Sequence, residues 1–225
     1  VYNYTKSGIG VIEVKEYQDH SLRGRVFHVL REDILSGKYK ENEELREITI
    51  GEEMGVSRTP VREALRQLEL EGLVKIIPNK GAYVTGINEK DIADIYAIRS
   101  RLEGLCARWA TEHITQEQLE KMEEVLLLSE FYGRKKEDGG HVVELDSEFH
   151  EVLYEASNSR ILQHVMTDFH NYVRKARETS VEKKDRAEKS IAEHRGIYEA
   201  IKAKDARLAE QLADEHIRHV VDNLT

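Results

Sequence analysis

Cysteine is nearly absent from this 225-residue chain: Cys106 stands alone, so no disulfide can form within it. A reducing cytoplasm is the expected setting. Cys106 lies in an apolar helical stretch and reads as core packing. Long apolar runs are lacking too. None approaches the roughly 20 residues of a membrane span, so no membrane partner is expected. Residues 1–20 lack the basic start and apolar stretch of a secretion signal. They also lack clear periodicity, and they read as an N-terminal arm. The chain opens on Val1 rather than Met, so part of the native N-terminus is expected ahead of it. No internal repeat and no low-complexity linker is present. Aromatic residues reach only 7% against 34% charged residues, a balance that fits a soluble, helix-rich protein. A basic excess is missing as well, since the net charge is −9. That alone does not exclude nucleic acid. Residues 21–88 hold 11 basic and 11 acidic side chains, and residues 89–225 hold 21 and 29, so the acid excess sits mostly in the C-terminal part. A neutral segment still binds DNA if its basic groups share one face.

What is present begins with a helix. Ser21 can cap it, and Leu22, Val26, Val29, Leu30 and Ile34 recur at helical spacing. Gly37 ends it, a polar turn runs over Lys40–Glu44, and Leu45 returns to the core. A short helix from about Glu47 to Met54 and a second from about Arg58 to Glu71 flank Gly55-Val56-Ser57. Two short helices around a tight glycine turn read as a helix-turn-helix. Gly55 suits a left-handed helix end. Ser57 or Thr59 can cap the second helix, with Pro60 in its first turn. Leu73–Ile77 and Ala82–Thr85, joined by Pro78-Asn79-Lys80-Gly81, predict a β-hairpin, which makes a wing. From Asn88 the pattern is helical, with polar breaks near Thr115, Asp138–Gly140, Asn158–Ser159, Asp185 and Asp205. The expected fold is mainly α: an arm over 1–20, a winged helix-turn-helix over 21–87, and an all-helical bundle of about six helices over 88–225.

Arg58, Arg62 and Arg66 are spaced by four and line one helix face, with Leu65 and Leu68 on the other. Such a helix fits the major groove, where arginine donates two hydrogen bonds to guanine O6 and N7. Ser57 and Thr59 at its start can bind phosphate. Lys80 at the wing tip can reach a phosphate or the minor groove, and Gly81 permits close approach. The competing reading is a solvated face whose arginines pair with Glu63, Glu69 and Glu71.

In the helical part, Asp146 and His150 lie i and i+4 on a face that also carries Val142, Phe149 and Leu153. His194 shares a stripe with Ile191, Ile197, Tyr198 and Ile201. His216 shares one with Ala209, Leu212, Ala213 and Val220. One carboxylate and three imidazoles thus sit on inward stripes, where polar groups need partners. A divalent metal would satisfy all four, zinc foremost, with nickel, manganese and iron also suited. Separate core histidines with ordinary hydrogen bonds are the other reading. His170 is a reserve candidate.

The run Gly55-Val56-Ser57-Arg58-Thr59-Pro60-Val61-Arg62-Glu63-Ala64-Leu65, followed by Leu68-Glu69-Leu70-Glu71-Gly72-Leu73-Val74, closely resembles the winged helix-turn-helix of the GntR family. The helical remainder resembles the FCD domain of that family's FadR-type branch, in its shorter VanR-like form. The resemblance implies a dimeric transcriptional regulator, more often a repressor, reading an inverted-repeat DNA operator. It implies Ser57, Arg58, Thr59 and Arg62 as principal DNA contacts, assisted by Arg46 and by Asn79, Lys80 and Gly81. It implies a metal on Asp146, His150, His194 and His216, which helps to hold a small organic acid. Arg99 matches a pocket-facing arginine of such domains and could clamp a carboxylate, against a competing surface salt bridge with Glu103. Asn171 and Arg174 are further candidates for lining the pocket. Two positions depart from the family pattern. Glu41-Asn42 replaces Pro-Gly, in a turn that Asn tolerates, and Gly51 replaces a small alanine and should weaken its helix slightly. No enzyme is expected, because a bundle hydrolase would need a general base that no spacing marks. A regulator whose effector is the ion itself shares the same ligands and stays open.

Overall fold

A computed structural model describes residues 21–134, 139–174, 176 and 184–223. The arm read over residues 1–20 lies outside them. The described residues form two compact units, one of residues 21–34 and 38–86 and the other of the residues from Ile87 onward together with 35–37.

The first unit holds α1 (Leu22–Leu35), β1 (Glu44–Leu45), α2 (Glu47–Met54), α3 (Arg58–Leu70), β2 (Val74–Ile77) and β3 (Gly81–Val84). The Ser21 hydroxyl accepts from the Gly24 N–H at 3.0 Å and starts α1. The core is Val26, Leu30 and Ile34 of α1 against Ile50, Val61, Ala64, Leu65 and Leu68, closed by Leu73, Val74, Ala82 and Val84. Leu22 and Val29, on the helical repeat read from the sequence, are exposed, and Phe27 is buried in the core. Between α2 and α3, Gly55 takes the left-handed conformation (φ 64°) and donates back to the Glu52 carbonyl, while the Val56 N–H donates to that of Gly51. Gly51 does more than weaken α2. A Cβ there would lie 2.9 Å from the Val56 carbonyl oxygen, so its bare backbone lets the turn close. Asn42 supplies a left-handed φ of 66°, as its turn requires.

The hairpin pairs Val74 with Val84 and Ile77 with Gly81. A third strand, β1, joins β3 with Leu45 opposite Ala82, giving the order β1-β3-β2. Two residues are too few for alternation to announce a strand, and only the partner edge selects this one. Glu69 of α3 accepts from the Ile76 N–H at 2.7 Å and ties the helix to the wing.

The second unit is helical: α4 (Glu89–His113), α5 (Gln116–Gly133), α6 (Gly139–Ala156), α7 (Arg160–Tyr172), α8 (Lys184–Lys202) and α9 (Ala206–Asp222). Asn88 and Thr115 close capping boxes with Asp91 and Gln118, so α4 and α5 begin where their first N–H groups find acceptors. Ser159 and Asp205 cap α7 and α9. Asp185, read as near a break, lies inside α8. The core joins Cys106, Ala107 and Ala110 of α4 to Met122 and Leu126 of α5, Phe149 and Leu153 of α6, Met166 of α7, Ile197 and Ile201 of α8, and Ala209 and Ala213 of α9. Helix α4 packs along α9, where a Cβ on Gly104 would lie 2.8 Å from the Glu210 carbonyl oxygen. Ile98 lies on the aliphatic helical repeat of α4 with Ile95 yet is 46% exposed, while Arg99 and Glu103 are buried. No helix among the described residues is long and apolar enough to cross a membrane.

Candidate DNA-reading face and metal centre

Helix α3 has two unlike sides. Val61, Ala64, Leu65 and Leu68 are buried, while Arg58, Arg62 and Arg66 are exposed. Ser57 sits at the N-cap in an extended conformation, and its hydroxyl makes no capping bond. Thr59 is exposed in the first turn, and Asn79, Lys80 and Gly81 form the exposed wing tip. Asn79 and Gly81 take positive φ (61° and 123°), which the tight turn needs.

The arginines are not unpaired. Arg62 binds both oxygens of Glu47, Nε to Oε1 at 2.9 Å and Nη2 to Oε2 at 2.8 Å. Arg58 reaches the same Oε2 at 3.3 and 3.2 Å. Arg46 bonds Glu44 at 3.0 Å, and Arg66 bonds Glu63 at 3.0 Å. Of the partners read from the sequence only Glu63 serves an arginine of this face, since Glu69 holds Ile76 and Glu71 holds Arg31. Glu47, the shared partner, was not legible: it stands 11 and 15 residues from its arginines, across the turn. The Arg62 hydrogen bond, opposed by burial and aided by Arg58, holds its carboxyl below the ordinary range.

In the helical unit, His150, His194 and His216 come together from α6, α8 and α9, with one ring nitrogen of each within 4.8 Å of the others. All three are buried. The Nε2 atoms of His194 and His216 are 3.2 Å apart. Two imidazole nitrogens on one tetrahedral zinc would be about 3.3 Å apart, given bonds of about 2.0–2.1 Å. Asp146 lies beside them, with Oδ1 3.8 Å from His194 Nε2. Phe149 stacks on His194 at 4.2 Å between centroids and fixes its plane. His170 is buried alongside, its ring centroid 5.2 Å from that of His150.

Outer partners orient these rings. Glu193 accepts from His216 Nδ1 at 2.7 Å, which leaves Nε2 as the lone-pair nitrogen facing His194. The same carboxylate pairs with buried Arg186 and with His219. Burial pushes Glu193 up, yet the bonds from His216 and Arg186 outweigh it and bring its carboxyl to about 2. His150 Nδ1 lies 2.7 Å from Glu103 Oε1, though off the line of a good hydrogen bond. Desolvation, then mutual repulsion, lowers His194 well below the usual imidazole value, and desolvation also lowers His216. Both are therefore neutral at neutral pH, the form that ligates metal.

Arg99 is buried, with Nη2 3.1 Å from Glu103 and 3.0 Å from the Tyr154 hydroxyl. The Tyr154 hydroxyl donates to Glu103 at 2.9 Å. The Glu103 pair read from the sequence exists but is buried rather than superficial, and it holds Nη2. The buried Nε has no hydrogen-bond partner among the described residues. Burial works against both charges, yet Tyr154 and Glu103 keep Arg99 protonated, and Arg99 and His150 keep Glu103 ionised. Glu103, read from the sequence only as a surface partner of Arg99, links the arginine to the histidine cluster. Asn171 is half-buried at the end of α7 next to His170, and Arg174 lies past that end, exposed.

Residues 22–84 match the gntR family of bacterial regulatory proteins, and residues 94–219 match the FCD domain. An uncharacterized HTH-type transcriptional regulator, YdhC of Bacillus subtilis, is 30% identical over 88% of each chain. The HTH-type transcriptional repressor RspR of Escherichia coli is 26% identical over 89% of this chain and 87% of its own. The gluconate operon repressor of B. subtilis is 28% identical, over 89% and 84%. Among solved structures, E. coli McbR/YncC superposes with a TM-score of 0.74 at 23% identity, covering 91% of this chain and 97% of its own. A GntR transcriptional regulator from Rhodococcus sp. RHA1 gives 0.69 at 25%, over 90% and 96%.

Proposed function

The chain belongs to the gntR family of bacterial transcriptional regulators and carries an FCD domain, and on that premise we propose a metal-dependent repressor that answers a small organic acid. Two copies present two α3 helices and two wings to an inverted-repeat operator, because a two-fold dimer matches a palindrome. Arg58, Arg62 and Arg66 reach base edges, while Ser57, Thr59, Arg46, Asn79, Lys80 and Gly81 hold phosphates and fix the register. Repression is favoured by the two relatives that are named repressors.

The observation that carries the sensing half is the convergence of three buried imidazoles with Asp146 at their side. Asp146, His150, His194 and His216 would hold one divalent ion, zinc foremost, with nickel, manganese or iron also suited. That ion would supply Lewis-acid attraction for a carboxylate oxygen of the effector. Arg99, Asn171 and Arg174 are the candidate effector contacts. Effector binding acts on the operator only if it favours one dimer arrangement over another.

The test is a thermal-shift series of small mono- and dicarboxylic acids on metal-loaded and chelator-stripped protein. An acid that raises the melting temperature only with metal supports the reading. Failure of every acid, with strong stabilisation by metal alone, overturns the acid-sensor reading. One observation favours that second outcome: Arg99 is buried with its Nη2 already committed to Glu103 and Tyr154, so a carboxylate clamp through that nitrogen would have to displace them. The ion itself would then be the effector, and metal-dependent operator binding without any acid would identify it.

A further inference from the structure

Arg58 and Arg62 both present the same edge of the guanidinium to one carboxylate. Each uses Nε and Nη2 on Glu47. Arginine has five N–H donors in a rigid fork. With the side edge taken, the end edge of each remains: both Nη1 hydrogens and the second hydrogen on Nη2. No other hydrogen bond engages either side chain among the described residues. The end edge carries two parallel donors, the pattern that guanine O6 and N7 accept in the major groove.

We propose that Glu47 is a specificity-determining residue, a built-in carboxylate that aims Arg58 and Arg62 at base edges and withholds their charge from the phosphates of arbitrary DNA. This rests on α3 being the recognition helix. The reasoning is electrostatic. Non-specific affinity comes from neutralising phosphates and releasing their counterions. An arginine already neutralised by a carboxylate gains little by exchanging it for a phosphate, because the carboxylate is left unpaired. A guanine edge demands no such exchange, since it is neutral and can be bound with the carboxylate still in place. Glu47 is suited to this task because both arginines hold its carboxyl in the anionic form. The neighbouring Arg46 is paired in the same way to Glu44, whose side chain also lies under the wing tip, where a Cβ on Gly81 would meet Glu44 Oε1 at 3.3 Å. Each arginine of this face therefore meets a carboxylate, which agrees with equal numbers of acidic and basic groups over residues 21–88.

The test uses the full chain, an operator selected from random duplexes, and a scrambled duplex of the same length and composition. Glu47→Gln keeps the size and removes the charge. It is expected to bind the scrambled duplex roughly three- to tenfold more tightly, with a salt slope steeper by about 0.9. Operator affinity is expected to hold or fall, so that discrimination shrinks on the order of tenfold. Glu47→Asp keeps the charge with a shorter reach. It should leave scrambled-duplex affinity low while weakening the operator, and it serves if the Gln variant misfolds. Equal loss on both duplexes, or no change on either, overturns the proposal. An Arg58→Ala/Arg62→Ala double variant separates the two readings. If it binds the operator like the parent, the recognition-helix reading fails. If it loses operator binding while Glu47→Gln leaves discrimination intact, only the role of Glu47 fails.

Discussion

Arginine meets glutamate in both units, on opposite terms. Arg62 and Glu47 pair at the surface, with side-chain exposures of 48% and 24%, whereas Arg99 and Glu103 pair at 1% and 0%. The surface pair adds little to folding stability, because water solvates both charges whether or not they meet. The buried pair cannot be separated in that way, since neither charge has anywhere else to go. The same two residue types therefore make a solvated surface pair in one unit and a locked strut in the other. The strut ends at a histidine cluster, through Glu103 and His150.

The sharpest way to break this contrast is Glu103→Gln, which leaves Arg99 charged and buried. It is expected to cost about 3–5 kcal/mol of folding stability in denaturant unfolding, against less than about 1 kcal/mol for Glu47→Gln. Similar losses at the two sites would erase the distinction. Next comes the metal: zinc at a hundredfold excess over its dissociation constant is expected to stabilise the parent by about 2.7 kcal/mol. His194→Ala should abolish that gain in the melting curve, whereas Arg62→Ala should leave it intact. In the other unit, Arg58→Ala is expected to weaken operator binding by about 1–3 kcal/mol in a titration by fluorescence anisotropy. Its melting temperature should stay at the parental value.

A pH series on chelator-stripped protein separates two buried contributions. His194 and His216 have folded values below the unfolded one, so the stability of their neutral forms is present above about pH 6.5 and is lost as pH falls below it. Glu193 is depressed to about 2, so its contribution survives that first loss. It fades only between about pH 4.3, the unfolded glutamate value, and its folded value. Denaturant midpoints of the parent and Glu193→Gln should therefore converge only below about pH 4. Midpoints that converge already near neutral pH would refute this order. The smallest effect concerns Gly51→Ala. Helix propensity alone would stabilise it by about 1 kcal/mol. The 2.9 Å approach to the Val56 carbonyl is expected to cancel that gain, so the melting temperature should not rise.

Much of the architecture could be read directly from the residues. The Gly55 turn, the α3 stripe and the wing are local patterns, and each is specified within a dozen residues. The inward stripes carrying His150, His194 and His216 were legible too, because Phe149, Leu153, Ile197, Ile201, Ala209 and Ala213 keep helical register with them and are buried. Errors arose where a local rule met a distant partner. Ile98 fits the aliphatic repeat of α4 yet faces out, because the buried side of that helix is given to Arg99 and Glu103, matched by Tyr154 some fifty positions away. Strand β1 is too short to show a period and exists only because β3 offers an edge.

By itself the sequence determined the winged helix-turn-helix, the helical bundle and the residue types able to read DNA or bind a metal. Those follow from periodicity, capping and turn chemistry, which act between near neighbours. Tertiary structure alone decided which charges face each other: Glu47 under Arg58 and Arg62, Glu103 between Arg99 and His150, and Glu193 behind His216. Electrostatic pairing depends on distance in space and on exclusion of water, and neither is written into the spacing of residues along the chain.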